Sequence, residues 1–181
     1  MSSHYYNKFI DFFERHELYD KEIFDYLRAQ SILFDYRDID LRSRIGFFFL
    51  AEKGILREIN LVLPFIDSDV TTVINIHEYT HGIIACKYIN RVIKEDIVSE
   101  TLPHLYERIY LEENKDNEKL REHISYRNNI IINSTDPQSK KYKQALMVQG
   151  QLLDYYYNGH TSIIDLNKKA KKLIRKQNCN L

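Results

Sequence analysis

The amino-acid sequence predicts an α+β fold: a mostly helical single domain with a small β-hairpin or three-stranded sheet preceding one long apolar helix. Three observations carry that expectation. Apolar and aromatic residues recur at helical spacing along most of the chain, whereas residues 31–66 hold short runs of Phe, Ile, Leu and Val broken by turn residues. Only 5 Gly and 3 Pro occur among 181 residues, which leaves little chain for long loops. At this length, with 44% apolar residues, one core is expected, so 1–181 reads as a single domain in four stretches. These are N-terminal helices over 1–30, a small sheet over 31–66, a pair of helices over 67–113 and C-terminal helices over 114–181.

The elements follow in order. Tyr5, Tyr6, Phe9, Phe12, Phe13 and His16 predict a first helix, and Ile23, Phe24 and Leu27, preceded by Asp20 as N-cap, predict a second. Ile32 to Tyr36, Arg44 to Ala51 and Ile55 to Phe65 read as strands, with Glu52-Lys53-Gly54 as a hairpin turn in which Gly54 supplies a positive φ. In the last strand Ile55, Arg57, Ile59, Leu61 and Leu63 share one face; Leu56, Glu58, Asn60 and Val62 share the other, so one side should be partly open. Pro64 suits a strand end or an edge. Asp67-Ser68-Asp69 then caps a helix whose stripe is Val70, Val73, Ile74, His77, His81, Ile84, Ala85 and Tyr88. Another helix should begin near Asp96 to Ser99 and run to about Glu113. A polar segment with Leu120 and Ile124 leads to a turn at Ser134-Thr135-Asp136-Pro137. A long helix from Tyr142 through Tyr157 stops at Gly159, and a last helix opens at Thr161 or Ser162.

Composition narrows the function classes. The 26 basic and 26 acidic residues cancel, so no global field favours nucleic acid, a membrane surface or an acidic ligand. Lys168, Lys169, Lys171, Lys172, Arg175 and Lys176 cluster near the end, where they read as the solvated face of the last helix. Two cysteines without CxxC spacing exclude a disulfide framework and thiolate metal chemistry. Asp11, Glu14 and Arg15 interrupt the N-terminal apolar pattern, which is not that of a signal peptide, and no stretch reaches a membrane span, so a soluble cytoplasmic protein is expected.

One segment carries chemistry: His77-Glu78-Tyr79-Thr80-His81. Two histidines four apart lie one above the other on a helix, close enough to share one tetrahedral Zn2+. Glu78 points about 100° away around the helix, beside an open metal position rather than on the metal. There it can serve as general base toward a zinc-bound water, whose pKa the metal lowers to about 7, and later as general acid. His16-Glu17-Leu18-Tyr19-Asp20 begins in the same way but lacks the second histidine, and reads as surface helix.

A catalytic zinc takes a third protein ligand. Glu100 leads, at the start of a helix in which Glu100, His104, Glu107 and Leu111 share one face; His104 is the alternative. Glu107 is placed to accept a hydrogen bond from a ligating histidine and fix its tautomer. This set, HEYTH with a glutamate from a following helix, resembles the gluzincin group of zinc peptidases. The eighteen residues between His81 and Glu100 match the spacing of the aminopeptidase N family, without that family's Gly-Ala-Met-Glu-Asn signature. Glu100-Thr101-Leu102-Pro103-His104-Leu105-Tyr106-Glu107 is similar to the thimet oligopeptidase and oligoendopeptidase pattern. The resemblance spans about Asn75 to Glu107 and implies His77, His81 and Glu100 as ligands of Zn2+ in a metallopeptidase.

Peptide hydrolysis also needs a donor for the developing oxyanion. Tyr155, Tyr156, Tyr157 and His160 cluster late in the chain, with His123 and Tyr126 earlier; Tyr157 is the choice among them. The strand Ile59 to Leu63, if at an edge, offers main-chain pairing to an extended peptide. The partner expected is therefore a peptide or protein substrate. The competing expectation is a non-catalytic zinc-binding module that recognises a partner on the same scaffold.

Overall fold

The computed structural model describes residues 3–52, 55–92 and 100–178. The turn residues Lys53 and Gly54, the expected helix start at 96–99 and Cys179 lie outside them. The described residues form an α+β, mostly helical protein with one three-stranded sheet. They fall into two compact units, residues 1–91 and 92–181. No helix among them is long and apolar enough to cross a membrane.

In the first unit, helices α1 (Ser3–Arg15) and α2 (Lys21–Ala29) lie where the aromatic spacing puts them. Asp20 caps α2 by accepting a hydrogen bond from the Ile23 amide at 3.2 Å. Glu17 adopts a positive φ of 58° just beyond α1, so the His16-Glu17 segment is a helix terminus rather than the surface helix expected of it. Strand β1 (Ser31–Phe34) is followed by a short helix α3 (Ile39–Arg42) that the apolar pattern does not signal; Asp38 nucleates it by accepting from the Asp40 and Leu41 amides. Strands β2 (Gly46–Glu52) and β3 (Ile55–Pro64) pair antiparallel, as a hairpin should. A register shift between Leu50 and Ala51 breaks the simple alternation beyond Glu58.

The sheet order is β1-β3-β2, with β1 parallel to β3 from Ser31↔Leu61 to Phe34↔Pro64. This corrects one expectation. β3 is the central strand, paired with β2 along Ile59 to Val62 and with β1 along Leu61 to Pro64, so the segment Ile59 to Leu63 is not an edge strand for a peptide to join. The edges beside it belong to β1 and β2. Ile59, Leu61 and Leu63 are fully buried while Glu58 is exposed and Val62 only half-buried, as the alternation predicts.

Helix α4 (Asp69–Val92) carries the HEYTH segment. Ser68 is its effective cap: its hydroxyl accepts from the Thr71 amide at 3.2 Å, while Thr71 Oγ1 accepts from the Asp67 and Ser68 amides at 3.1 and 3.0 Å. The sequence stripe understates the helix. Thr72, Val73, Asn75, Ile76, Tyr79, Thr80, Ile83, Ile84 and Ala85 are all buried, so α4 is enclosed on nearly every side from Thr72 to Ala85. Its buried amide and hydroxyl donors reach nearby carbonyls. Asn75 donates to the carbonyls of Pro64 and Thr71, tying α4 to the end of β3, and Thr80 donates to Ile76 O at 2.7 Å.

Two contacts fix the rotation of α4 about its axis. Tyr79 lies in an aromatic cluster with Phe9 and Phe24, at ring-centroid distances of 4.9 and 5.3 Å, and Phe13 bridges Phe9 and Phe24. Gly82 permits close approach of α2: a Cβ there would fall 2.7 Å from Leu27 Cδ2, a side chain that is itself fully buried.

In the second unit, α5 (Thr101–Glu113), α6 (Glu118–Asn133), α7 (Lys140–Tyr157) and α8 (Ile163–Asn178) form a helical body in which α5, α7 and α8 pack on one another. The polar segment after residue 117 is the helix α6, started by Asn117 accepting from the Leu120 amide and anchored by buried Leu120 and Ile124. Pro103 sits in the first turn of α5, where its missing N–H breaks no helical bond. Gly159, at φ 92°, ends α7 as expected. The cations Lys168, Lys172, Arg175 and Lys176 of α8 are exposed while Ile163, Leu166, Leu173 and Ile174 are buried, the solvated face read from sequence.

Two outcomes follow. Gly82→Ala should lower the unfolding free energy by about 1 to 3 kcal/mol, the range for overpacking, whereas Ala at open Gly150 should be neutral or stabilising; urea melts of both variants check this. Burial pushes the Tyr79 hydroxyl up to about 12. A folded-state pKa above the unfolded value near 10 adds stability that is complete below pH 10 and disappears as pH rises to 12. Tyr79→Phe should therefore flatten the alkaline limb of the stability curve by on the order of 2 kcal/mol, read as the difference between melts at pH 9 and pH 11.5.

Candidate metal-binding residues

The first unit brings His77 and His81 together. One helical turn apart on α4, their Nε2 atoms are 3.2 Å from each other and their rings meet edge to face at 4.9 Å. His77 is buried and His81 half-buried, and the Phe47 ring of β2 stacks parallel on His81 at 5.8 Å. The edge strand thus packs on the histidine turn. Glu78, also half-buried, follows His77 on the same helix.

The second unit carries the acidic candidates on α5. Glu100 occupies the N-cap position, but its side chain makes no capping bond. Its carboxylate lies where the positive end of the helix dipole favours an anion, and Lys141 of α7 pairs with Glu100 Oε1 at 3.3 Å. The expectation for Glu107 is a hydrogen bond from a metal-ligating histidine; the histidine that meets it is His104 of the same helix, with His104 Nδ1 to Glu107 Oε2 at 2.8 Å. Arg127 of α6 clamps Glu107 through two contacts of 2.5 and 2.6 Å. Gln149 of α7 donates to the His104 main-chain carbonyl at 2.5 Å, and Tyr142 lies edge-on to the His104 ring at 6.1 Å. Buried Glu107 is thus balanced by a guanidinium, and the His104 ring is held in one orientation.

The described residues therefore include buried histidines and glutamates able to hold a metal ion: His77, with half-buried His81 beside it, in the first unit; Glu100, His104 and Glu107 in the second. Tyr157 is not placed with the second group. It is exposed, its hydroxyl is raised by burial of part of the ring and by the charges of Glu113 and Glu112, and it lies at the C-terminal end of α7. Tyr142, the α7 tyrosine that meets His104, is fifteen residues earlier, roughly 20 Å along the helix. The other late aromatics have packing roles: Tyr156 meets Tyr106, Tyr155 stacks on His160, and Tyr126 is exposed.

Sequence reasoning did not reach Arg127, Lys141 or Gln149. Each touches its partner across helices, so no local spacing marks it. Tyr142 was legible only as one of several apolar positions of α7.

Compared with protein-family models, curated proteins and solved structures, the chain matches none.

The Arg127 clamp has a measurable weight. Arg127→Met leaves a buried carboxylate without its guanidinium and should destabilise by roughly 2 to 4 kcal/mol, somewhat under the range for fully buried pairs because Arg127 is partly exposed. Arg108→Met, which breaks only the surface pair with Glu112, should change stability by less than about 1 kcal/mol. Chemical denaturation of the two variants compares them directly.

Proposed function

We propose that the chain is a zinc-dependent peptidase of the gluzincin kind, with His77, His81 and Glu100 holding one Zn2+ and Glu78 moving the proton. The observation that carries this reading is the separation of the two Nε2 atoms on α4. Two nitrogens bound to one tetrahedral zinc at about 2.0 to 2.1 Å stand roughly 3.3 Å apart. His77 and His81 stand 3.2 Å apart before any ion is considered, on a helix whose rotation is fixed by Tyr79 and Gly82. An Nε2–H donating to the other ring would have a similar length, so zinc binding is the deciding measurement.

The residues divide the work by their chemistry. A bound zinc supplies Lewis acidity toward a carbonyl oxygen and makes water acidic near neutral pH. Glu78, adjacent in sequence to a ligand and only half-buried, takes a proton from the attacking water and returns it to the leaving amine. The Glu100 carboxylate is not engaged in capping its helix, which suits a ligand role. His104, with Nδ1 fixed by Glu107, has the carboxylate–histidine arrangement of metal sites and is the alternative third ligand. The peptide-pairing role moves from β3 to β2, the edge strand whose Phe47 lies on His81 and whose Phe48 and Phe49 are exposed. An extended segment of a peptide or protein is the substrate that such an edge accepts.

The reading is tested in two measurements on the purified chain. Elemental analysis should find about one zinc per chain, and a peptide-library digest should show cleavage abolished by chelator and restored by Zn2+. Glu78→Gln should keep the metal and lower kcat at least 100-fold, the low end of what loss of a general base brings. Retained zinc with no cleavage in the wild type would instead favour the non-catalytic zinc-binding module, and absence of zinc would remove both.

A further inference from the structure

Lys141 meets a carboxylate that the proposed function assigns to the metal. Its ammonium lies 3.3 Å from Glu100 Oε1, and the same Nζ sits 5.0 Å over the ring of Tyr142, its neighbour on α7. The Glu100 side chain is almost fully buried, whereas that of Lys141 is 37% exposed, so the lysine reaches in from the protein surface along its flexible stem. The aromatic face holds the ammonium in that same position.

From this we infer that Lys141 is an internal counter-ion that a divalent cation must displace from Glu100, which makes Lys141 the residue that sets metal affinity. The inference rests on the assignment of Glu100 as a ligand. Two electrostatic effects act in one direction. The ion pair with Lys141 already neutralises the carboxylate whose charge a metal would draw on, and the ammonium, once displaced, still repels a dication a few ångströms away. Displacement swings the ammonium outward to solvent on its part-exposed stem rather than removing it, so the exchange is reversible. No bond is made or broken beyond the ion pair itself. The ligand class is a divalent cation of the kind taken by mixed imidazole and carboxylate donors, and Zn2+ is the probe.

The experiment is a competition titration of the full chain with Zn2+ against a chromophoric chelator, independent of any peptide cleavage. Lys141→Met, which keeps the stem and removes the charge, should bind Zn2+ roughly 10-fold or more tightly than wild type, the size of effect typical of groups that touch a metal ligand. Lys141→Arg should stay within about 3-fold of wild type, since the charge is kept. In the Glu100→Gln background the Lys141→Met effect should shrink to a small residue of charge repulsion, and a double-mutant cycle measures that coupling. Unchanged or weaker binding by Lys141→Met, with wild type binding one zinc, overturns the inference and leaves the peptidase reading standing. Equal tightening in the Glu100→Gln background also overturns it, because the lysine would then act by general charge alone. If neither wild type nor Lys141→Met binds zinc, the metal assignment itself falls and the inference with it. A circular-dichroism melt of each variant confirms that the chain compared is folded.

Discussion

The enclosure of α4 is the constraint on which the first unit depends. A helix buried on nearly every side cannot present a polar group to water at will, so each one it carries is satisfied inside or is there for a reason. The hydroxyls of Thr72 and Thr80 and the side-chain N–H group of Asn75 meet the first condition by bonding to nearby carbonyls. His77 and His81 turn their Nε2 atoms toward each other. Their convergence follows from packing as well as from spacing: Tyr79 among the aromatic rings and Gly82 against Leu27 hold the helix at one rotation, which sets the face from which both imidazoles project.

The second unit solves the same problem with charges. Helix α5 is buried from Thr101 through Glu107 and again over Ile109 to Leu111, yet it carries His104 and Glu107 along that length. An isolated buried carboxylate would be strongly disfavoured. Arg127 and His104 compensate Glu107, and Lys141 compensates Glu100, so each acidic group has a cation or an N–H donor supplied by α5 itself or by a neighbouring helix. These pairs also fix where the side chains point. Glu107 and Arg127 orient the His104 ring, and the unspent N-cap position leaves Glu100 to interact through its carboxylate with groups other than its own helix end.

Much of the fold is legible in the sequence because its signals are local. Asp20 and Gly159 mark helix ends through backbone chemistry that acts within a few residues. The alternation of Ile59, Leu61 and Leu63 announces a buried strand face, and the HEYTH spacing announces two imidazoles on one helical face. What misleads is anything that depends on a neighbour. The alternation of a strand is the same whether it lies at an edge or in the centre, so it could not tell that β3 is flanked by β1 as well as β2. The stripe of α4 showed one apolar face, while Thr71, Thr72, Asn75 and Thr80, polar by type, are buried on the others.

By itself, then, the sequence determined the α+β class, most element boundaries and the pairing of His77 with His81, since these rest on periodicities of 2 and 3.6 residues and on capping chemistry. Tertiary structure alone decided which strand is central, which end of α7 holds a tyrosine near His104, and which cations answer Glu100 and Glu107. The physical reason is the same in each case. A residue's own helix or strand sets the direction of its side chain, but the group it meets arrives from another element, through packing that no short stretch of sequence encodes.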